Sequence, residues 1–88
     1  MNATLDTALA RLDDWPDGTA AGLSGGRRYL VAKTRFAGGR AVKLAAWEQG
    51  GGDYISLNLY HLEAGPVLRP CEMPLSKVVA FLADLRSA

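Results

Sequence analysis

The 88-residue chain is poor in the residues that usually carry chemistry: it has one cysteine, Cys71, and one histidine, His61. A single cysteine permits no internal disulfide and no cysteine-based zinc cluster, and it suits a reducing compartment. One histidine and one cysteine also fall short of a usual metal site. No apolar run approaches the ~18–20 residues needed to cross a bilayer. The first residues, Met1-Asn2-Ala3-Thr4, carry no basic region, and Asp6 and Arg11 interrupt the apolar positions that follow. That start does not read as a signal peptide, so a cytoplasmic, soluble chain with no metal and no cofactor is expected.

Charge of one sign is missing from a long stretch. From Ser24 to Trp47 there is no acid, while Arg27, Arg28, Lys33, Arg35, Arg40 and Lys43 all fall there. From Met1 to Leu23 there are four Asp and one Arg, so the net charge of +1 conceals a basic block next to an acidic one. Such a block makes a local positive field in a nearly neutral protein.

The length allows one domain, residues 1–88. Leu5, Ala8, Leu9 and Leu12 keep the spacing of one helix face, with Asn2 or Thr4 as the cap. Pro16 ends this helix and makes Trp15 extended. The glycine-rich stretch Asp17 to Gly26 reads as a loop, so residues 1–25 form a helix and loop. Arg28 to Phe36 and Ala41 to Glu48 read as strands joined through Ala37-Gly38-Gly39-Arg40. Tyr54 to Leu62 alternates strictly, and Val67 to Arg69 reads as a short edge strand ended by Pro70. Leu75, Val78, Val79, Leu82 and Leu85, widened by Phe81, mark a C-terminal helix over 74–86. The expected fold is α+β: a three- to four-stranded antiparallel meander over 26–70, packed by that helix, with a short N-terminal helix.

Side-chain chemistry suggests a register for the first hairpin. A two-residue Gly38-Gly39 turn places Lys33 with Leu44 and Arg35 with Val42, mixing charge with apolar groups. A three-residue Gly38-Gly39-Arg40 loop flips one strand and segregates the faces. Leu30, Ala32 and Phe36 then join Val42, Leu44 and Ala46 inside. Tyr29, Val31, Lys33 and Arg35 join Lys43, Ala45 and Trp47 outside. The segregated register is expected, because the mixed one strands cations over the core. Ile55, Leu57 and Leu59 follow inward, and Tyr54, Ser56, Asn58 and Tyr60 outward. An outer face of cations beside rings suits single-stranded nucleic acid, through stacked bases and paired phosphates. The expected contacts are Tyr29, Lys33, Arg35, Arg40, Lys43, Trp47, Tyr54 and Tyr60.

These segments resemble the positive cofactor four family of transcriptional coactivators. Gly26-Arg27-Arg28-Tyr29-Leu30-Val31 is similar to that family's opening strand, and Phe36-Ala37-Gly38-Gly39 to its Phe-x-Gly turn. Val42 to Trp47 resembles its second strand, and Gly65-Pro66-Val67-Leu68-Arg69-Pro70 its Gly-x-Leu-Lys-Pro segment. The resemblance spans about Gly26 to Leu85. It implies a homodimer that binds single-stranded DNA on β-ribbons, with Lys33, Arg35, Lys43 and Trp47 as inherited contacts.

Other chemistry is sparse. His61 has only Glu63 as an acid of matching parity, and Cys71 between Pro70 and Glu72 reads as a structural thiol. Gly25-Gly26-Arg27-Arg28 lacks Walker spacing and leads into a strand, which makes it a turn. The acidic N-terminal helix is either an ordinary solvated element or a mobile cover over the basic face. The reading is of a non-enzymatic domain that binds single-stranded DNA or RNA; the alternative is a protein-interaction domain using Trp47, Tyr54 and Tyr60.

Overall fold

A computed structural model describes residues 4–88. Helix α1 runs Leu5–Asp14 and is capped by the Thr4 hydroxyl, which accepts from the Thr7 N–H at 3.1 Å. The other candidate cap, Asn2, lies outside the described residues. Trp15 is extended, as a residue before proline should be, and helix and chain part there. Five strands follow: β1 Gly18–Ser24, β2 Arg27–Phe36, β3 Ala41–Glu48, β4 Tyr54–Leu62 and β5 Gly65–Pro70. Helix α2, Leu75–Asp84, precedes a two-residue strand β6, Arg86–Ser87. The architecture is α+β, and all strand pairs are antiparallel in the order β5-β4-β3-β2-β1-β6.

The sheet has six strands, not three or four. The additional β1 occupies most of the stretch expected to be a loop. Its inward positions are Ala20, Gly22 and Ser24, small residues that leave room for the helices rather than filling the core themselves. At Gly22 an added Cβ would lie 2.9 Å from the Trp15 ring and 3.0 Å from Leu85. Only a glycine lets the Trp15 indole and Leu85 lie against this strand. The turn to β2 is Gly25-Gly26, both at positive φ, the backbone a tight hairpin requires. The last residues of the expected C-terminal helix leave it at Leu85 and return to β1 as β6, pairing Gly22 with Ser87 and Leu23 with Arg86.

Both helices lie on one face of the sheet and close a single core. It joins Ala8, Leu12 and Trp15 with Val78, Phe81, Leu82 and Leu85, and with Tyr29, Val31, Val42, Leu44, Ala46, Ile55, Leu57 and Leu59. The amphipathic pattern predicted for α2 holds except at Leu75, which is exposed at the helix start. Leu12 and Ala8 are fully buried, so α1 belongs to the core and is no mobile cover.

The hairpin register is the one sequence reasoning rejected. Phe36 pairs with Ala41, Arg35 with Val42 and Lys33 with Leu44. Tyr29, Val31, Lys33 and Arg35 therefore point to the helical side, and Leu30, Ala32 and Phe36 point away from it. The cause is the C-terminus of α1. The Lys33 ammonium donates to the carbonyls of Leu12 at 2.6 Å, Asp13 at 3.2 Å and Trp15 at 2.6 Å. Those are the carbonyls a helix end leaves without partners, and they carry the negative end of its dipole. A cation that satisfies them is at home in the core, and Lys33 is only 2% exposed. The faces of β3 and β4 are as expected, with Val42, Leu44, Ala46, Ile55, Leu57 and Leu59 inward.

Candidate functional site

Two surfaces gather chemistry: a cleft beside α2 and the helix-free face of the sheet. The cleft, of about 410 Å³, is lined by Ser24, Arg27, Tyr29, Asp53, Lys77 and Asp84 among others. Asp53 is its hub. Its carboxylate accepts from the Tyr29 hydroxyl at 2.7 Å and from the Lys77 ammonium at 2.7 Å, with Arg27 at 3.9 Å. The Lys77 bond first, then that of Tyr29, holds the Asp53 carboxyl below its usual range. Burial and the facing carboxylate push the Tyr29 hydroxyl up to about 12. At the other end Asp84 accepts from the Gly25 N–H at 2.6 Å and pairs with Arg86 at 2.6 Å. The Gly25 amide, then Arg86, keeps that carboxyl low. The Gly25 N–H, in the run read from sequence as a turn, is thus committed to Asp84.

These groups satisfy one another. Asp53 ties the β3–β4 turn to β2 and α2, and Asp84 ties the end of α2 to the β1–β2 turn. Both are staples between elements, and the cleft retains little unspent polarity for a ligand.

The helix-free face is different. Strand alternation and the pairing register place four rows on it. Leu30, Trp47 and Tyr54 form one row, and Ala32, Ala45 and Ser56 a second. Thr34, Lys43, Asn58 and Arg69 form a third, and Phe36, Ala41, Tyr60 and Val67 a fourth. Arg28 stands at the end beyond Leu30. Neither helix covers any of this. Leu30 is 40% exposed, Phe36 43%, Trp47 44% and Tyr54 42%. The Trp47 and Tyr54 rings lie 6.0 Å apart, centre to centre, at 46°. No strand position on this face carries an acid. Among the described residues, Arg28, Lys43 and Arg69 make no salt bridge.

Of the residues predicted to form the site, four are here: Lys43, Trp47, Tyr54 and Tyr60. Four are not. Tyr29 is buried against Asp53 and Phe81, and Lys33 caps α1. Arg35 sits at the rim of the helical side, its Nε donating to Asp17 at 2.9 Å. Arg40 lies in the β2–β3 loop and donates to the Ala37 carbonyl at 3.2 Å. Leu30, Phe36, Arg28 and Arg69 were missed. The first two were placed inside by the wrong register. Arg69 was readable only through its pairing with Asn58 across the β4–β5 hairpin.

The remaining reactive side chains, His61 and Cys71, form no pair with each other. His61 is exposed near the β4–β5 turn. Cys71 is a half-buried free thiol that accepts from the Asn58 amide at 3.7 Å. Among the described residues, no serine, cysteine or histidine is hydrogen-bonded to a carboxylate. No three His, Cys, Asp or Glu side chains cluster there as metal ligands would, and no helix is long and apolar enough to cross a membrane. Compared with known proteins, the chain matches no family, no curated protein and no solved structure.

Proposed function

We propose that the chain is a non-enzymatic binding domain whose working surface is the helix-free face of the sheet, and that its ligand is single-stranded nucleic acid. One observation carries the reading: Arg28, Lys43 and Arg69 share a face with Trp47, Tyr54, Tyr60 and Phe36, and no strand position on that face carries an acid. Exposed cations with no carboxylate paired to them leave a local positive field that an anion can enter. Rings beside them give unpaired bases something to stack on, at ~1–3 kcal/mol per base. An expected homodimer does not form through this face in the proposal. A second copy laid on it would set three more cations against these three, with no carboxylate between them.

The exposed Leu30 and Phe36 favour a second reading, in which an apolar segment of a partner protein docks here. Salt separates the two. Fluorescence anisotropy of a labelled deoxythymidine 20-mer, measured at several salt concentrations, is expected to give a log–log slope of about −2 for three phosphate contacts. Undetectable binding at ~100 µM protein in low salt, or binding indifferent to salt, rejects the nucleic-acid reading.

A further inference from the structure

The rings on the helix-free face are not spread evenly, and their spacing restricts the ligand. Trp47 and Tyr54 are directly paired across β3 and β4 at one end of the strands. Tyr60 pairs with Ala41, whose partner on the other side is Phe36, at the opposite end. From Tyr54 to Tyr60 is six residues of strand, about 20 Å at ~3.3 Å per residue. Between the two ends lie the row Ala32, Ala45 and Ser56 and the row Thr34, Lys43, Asn58 and Arg69. Ala45 and Ser56 are themselves buried, so the first of these rows is a shallow trough between taller neighbours. The face thus carries ring, trough, cation, ring along the strand direction.

We infer that the site takes a short oligomer lying along β3 and β4, with one base on the Trp47–Tyr54 pair, one on Tyr60, and phosphates over Lys43 and Arg69 between them. This rests on the nucleic-acid reading and adds a length requirement and a direction to it. A stacked strand advances ~3.4 Å per nucleotide and a splayed one on the order of twice that, so bridging the two platforms takes roughly three to six steps, about four to seven nucleotides. A shorter ligand reaches one platform only. One that reaches both gains the second stack without a second encounter, and its affinity steps up.

The test is a length series of fluorescein-labelled deoxythymidine oligomers, from two to ten nucleotides, titrated at low salt against the full chain and two substitutions. Affinity is expected to rise at least tenfold between the dinucleotide and the heptamer and to change little beyond. Tyr60→Thr, which keeps a strand-forming residue, is expected to weaken the heptamer about five- to hundredfold and leave the dinucleotide unchanged. Trp47→Ala is expected to weaken both. Thermal melts of the variants confirm that each is folded; Tyr60→Leu replaces Tyr60→Thr should the latter melt early. A smooth rise with length, or a Tyr60 effect equal on dinucleotide and heptamer, overturns the two-platform inference while nucleic-acid binding stands. No binding at any length overturns both. Binding of an acidic tryptophan-containing peptide in place of every oligomer does the same and assigns the face to a protein partner.

Discussion

Lys33 and Lys43 lie on paired strands, ten residues apart, and differ in almost everything else. Lys33 is enclosed on the helical side with three backbone carbonyls around its ammonium. Burial and nearby Arg35 pull its pKa below that of an ordinary lysine, against the pull of Asp17, Asp13 and Asp14. Lys43 stands exposed between Thr34 and Asn58, with no ion pair among the described residues. One lysine spends its charge on holding the fold together; the other leaves its charge available. The two faces repeat the contrast. Off the helix-free face carboxylates are engaged by cations: Asp17 with Arg35, Glu48 with Arg27, Asp53 with Lys77 and Asp84 with Arg86. On the open side, among the described residues, Arg28, Lys43 and Arg69 have no ion pair, and Trp47 and Tyr54 leave part of each ring to solvent.

The contrast can be broken most forcefully at Lys33. Lys33→Met keeps the volume but strips partners from buried carbonyls at the end of α1, which should cost about 2–4 kcal/mol. Urea denaturation measures it, and Lys43→Met should fall within about 0.5 kcal/mol of the parent. Equal losses at the two positions would erase the distinction. Gly22→Ala comes next. Its new methyl meets the Trp15 ring and Leu85, and overpacking of this kind costs about 1–3 kcal/mol. Ala21→Ser, one residue away on the open side, should be nearly neutral in the same melt.

Tyr29→Phe is a smaller change, about 1 kcal/mol for the hydroxyl bond to Asp53. It should also alter the dependence on pH. The folded state favours the neutral phenol, with its pKa at about 12 against an ordinary 10.0. That contribution is complete below pH ~10 and is lost as pH climbs toward the folded value. The variant should lose less stability over that range than the parent does. Asp53 behaves oppositely. Its lowered pKa gives stability that is present above ~3.9 and lost as pH falls through the folded value. Asp53→Asn should flatten the acid limb in the same way. Trp47→Ala should cost about 0.5–1 kcal/mol through its lost cross-strand pairing with Tyr54, while weakening oligonucleotide binding.

Where the sequence was legible, a periodic signal was backed by one kind of residue. In β4, Ile55, Leu57 and Leu59 alternate with polar partners, and in α2 Val78, Phe81, Leu82 and Leu85 follow the helical repeat. β1 gave no such signal, because its inward positions had to stay small beneath Trp15 and the two helices. Strand β6 is two residues long and exists only because α2 returns the chain to the edge of β1. One reason accounts for most of what was misread in the site. Segregating charge from apolar groups is a sound rule when a buried cation has no partner. The partner here is a set of backbone carbonyls at the end of α1, which no side-chain pattern displays. Once Lys33 turns inward, Tyr29 and Arg35 turn with it, and Leu30 and Phe36 turn out.

The direct test of the open face as the working surface is an amide chemical-shift map of the protein titrated with a deoxythymidine hexamer. The predicted result is a set of shifts confined to β2, β3, β4 and β5 around Lys43, Ala45, Trp47, Ser56, Asn58 and Arg69, with α1 and α2 silent. Shifts centred on Arg27, Asp53 and Lys77 in the cleft beside α2, or none at all, would contradict it.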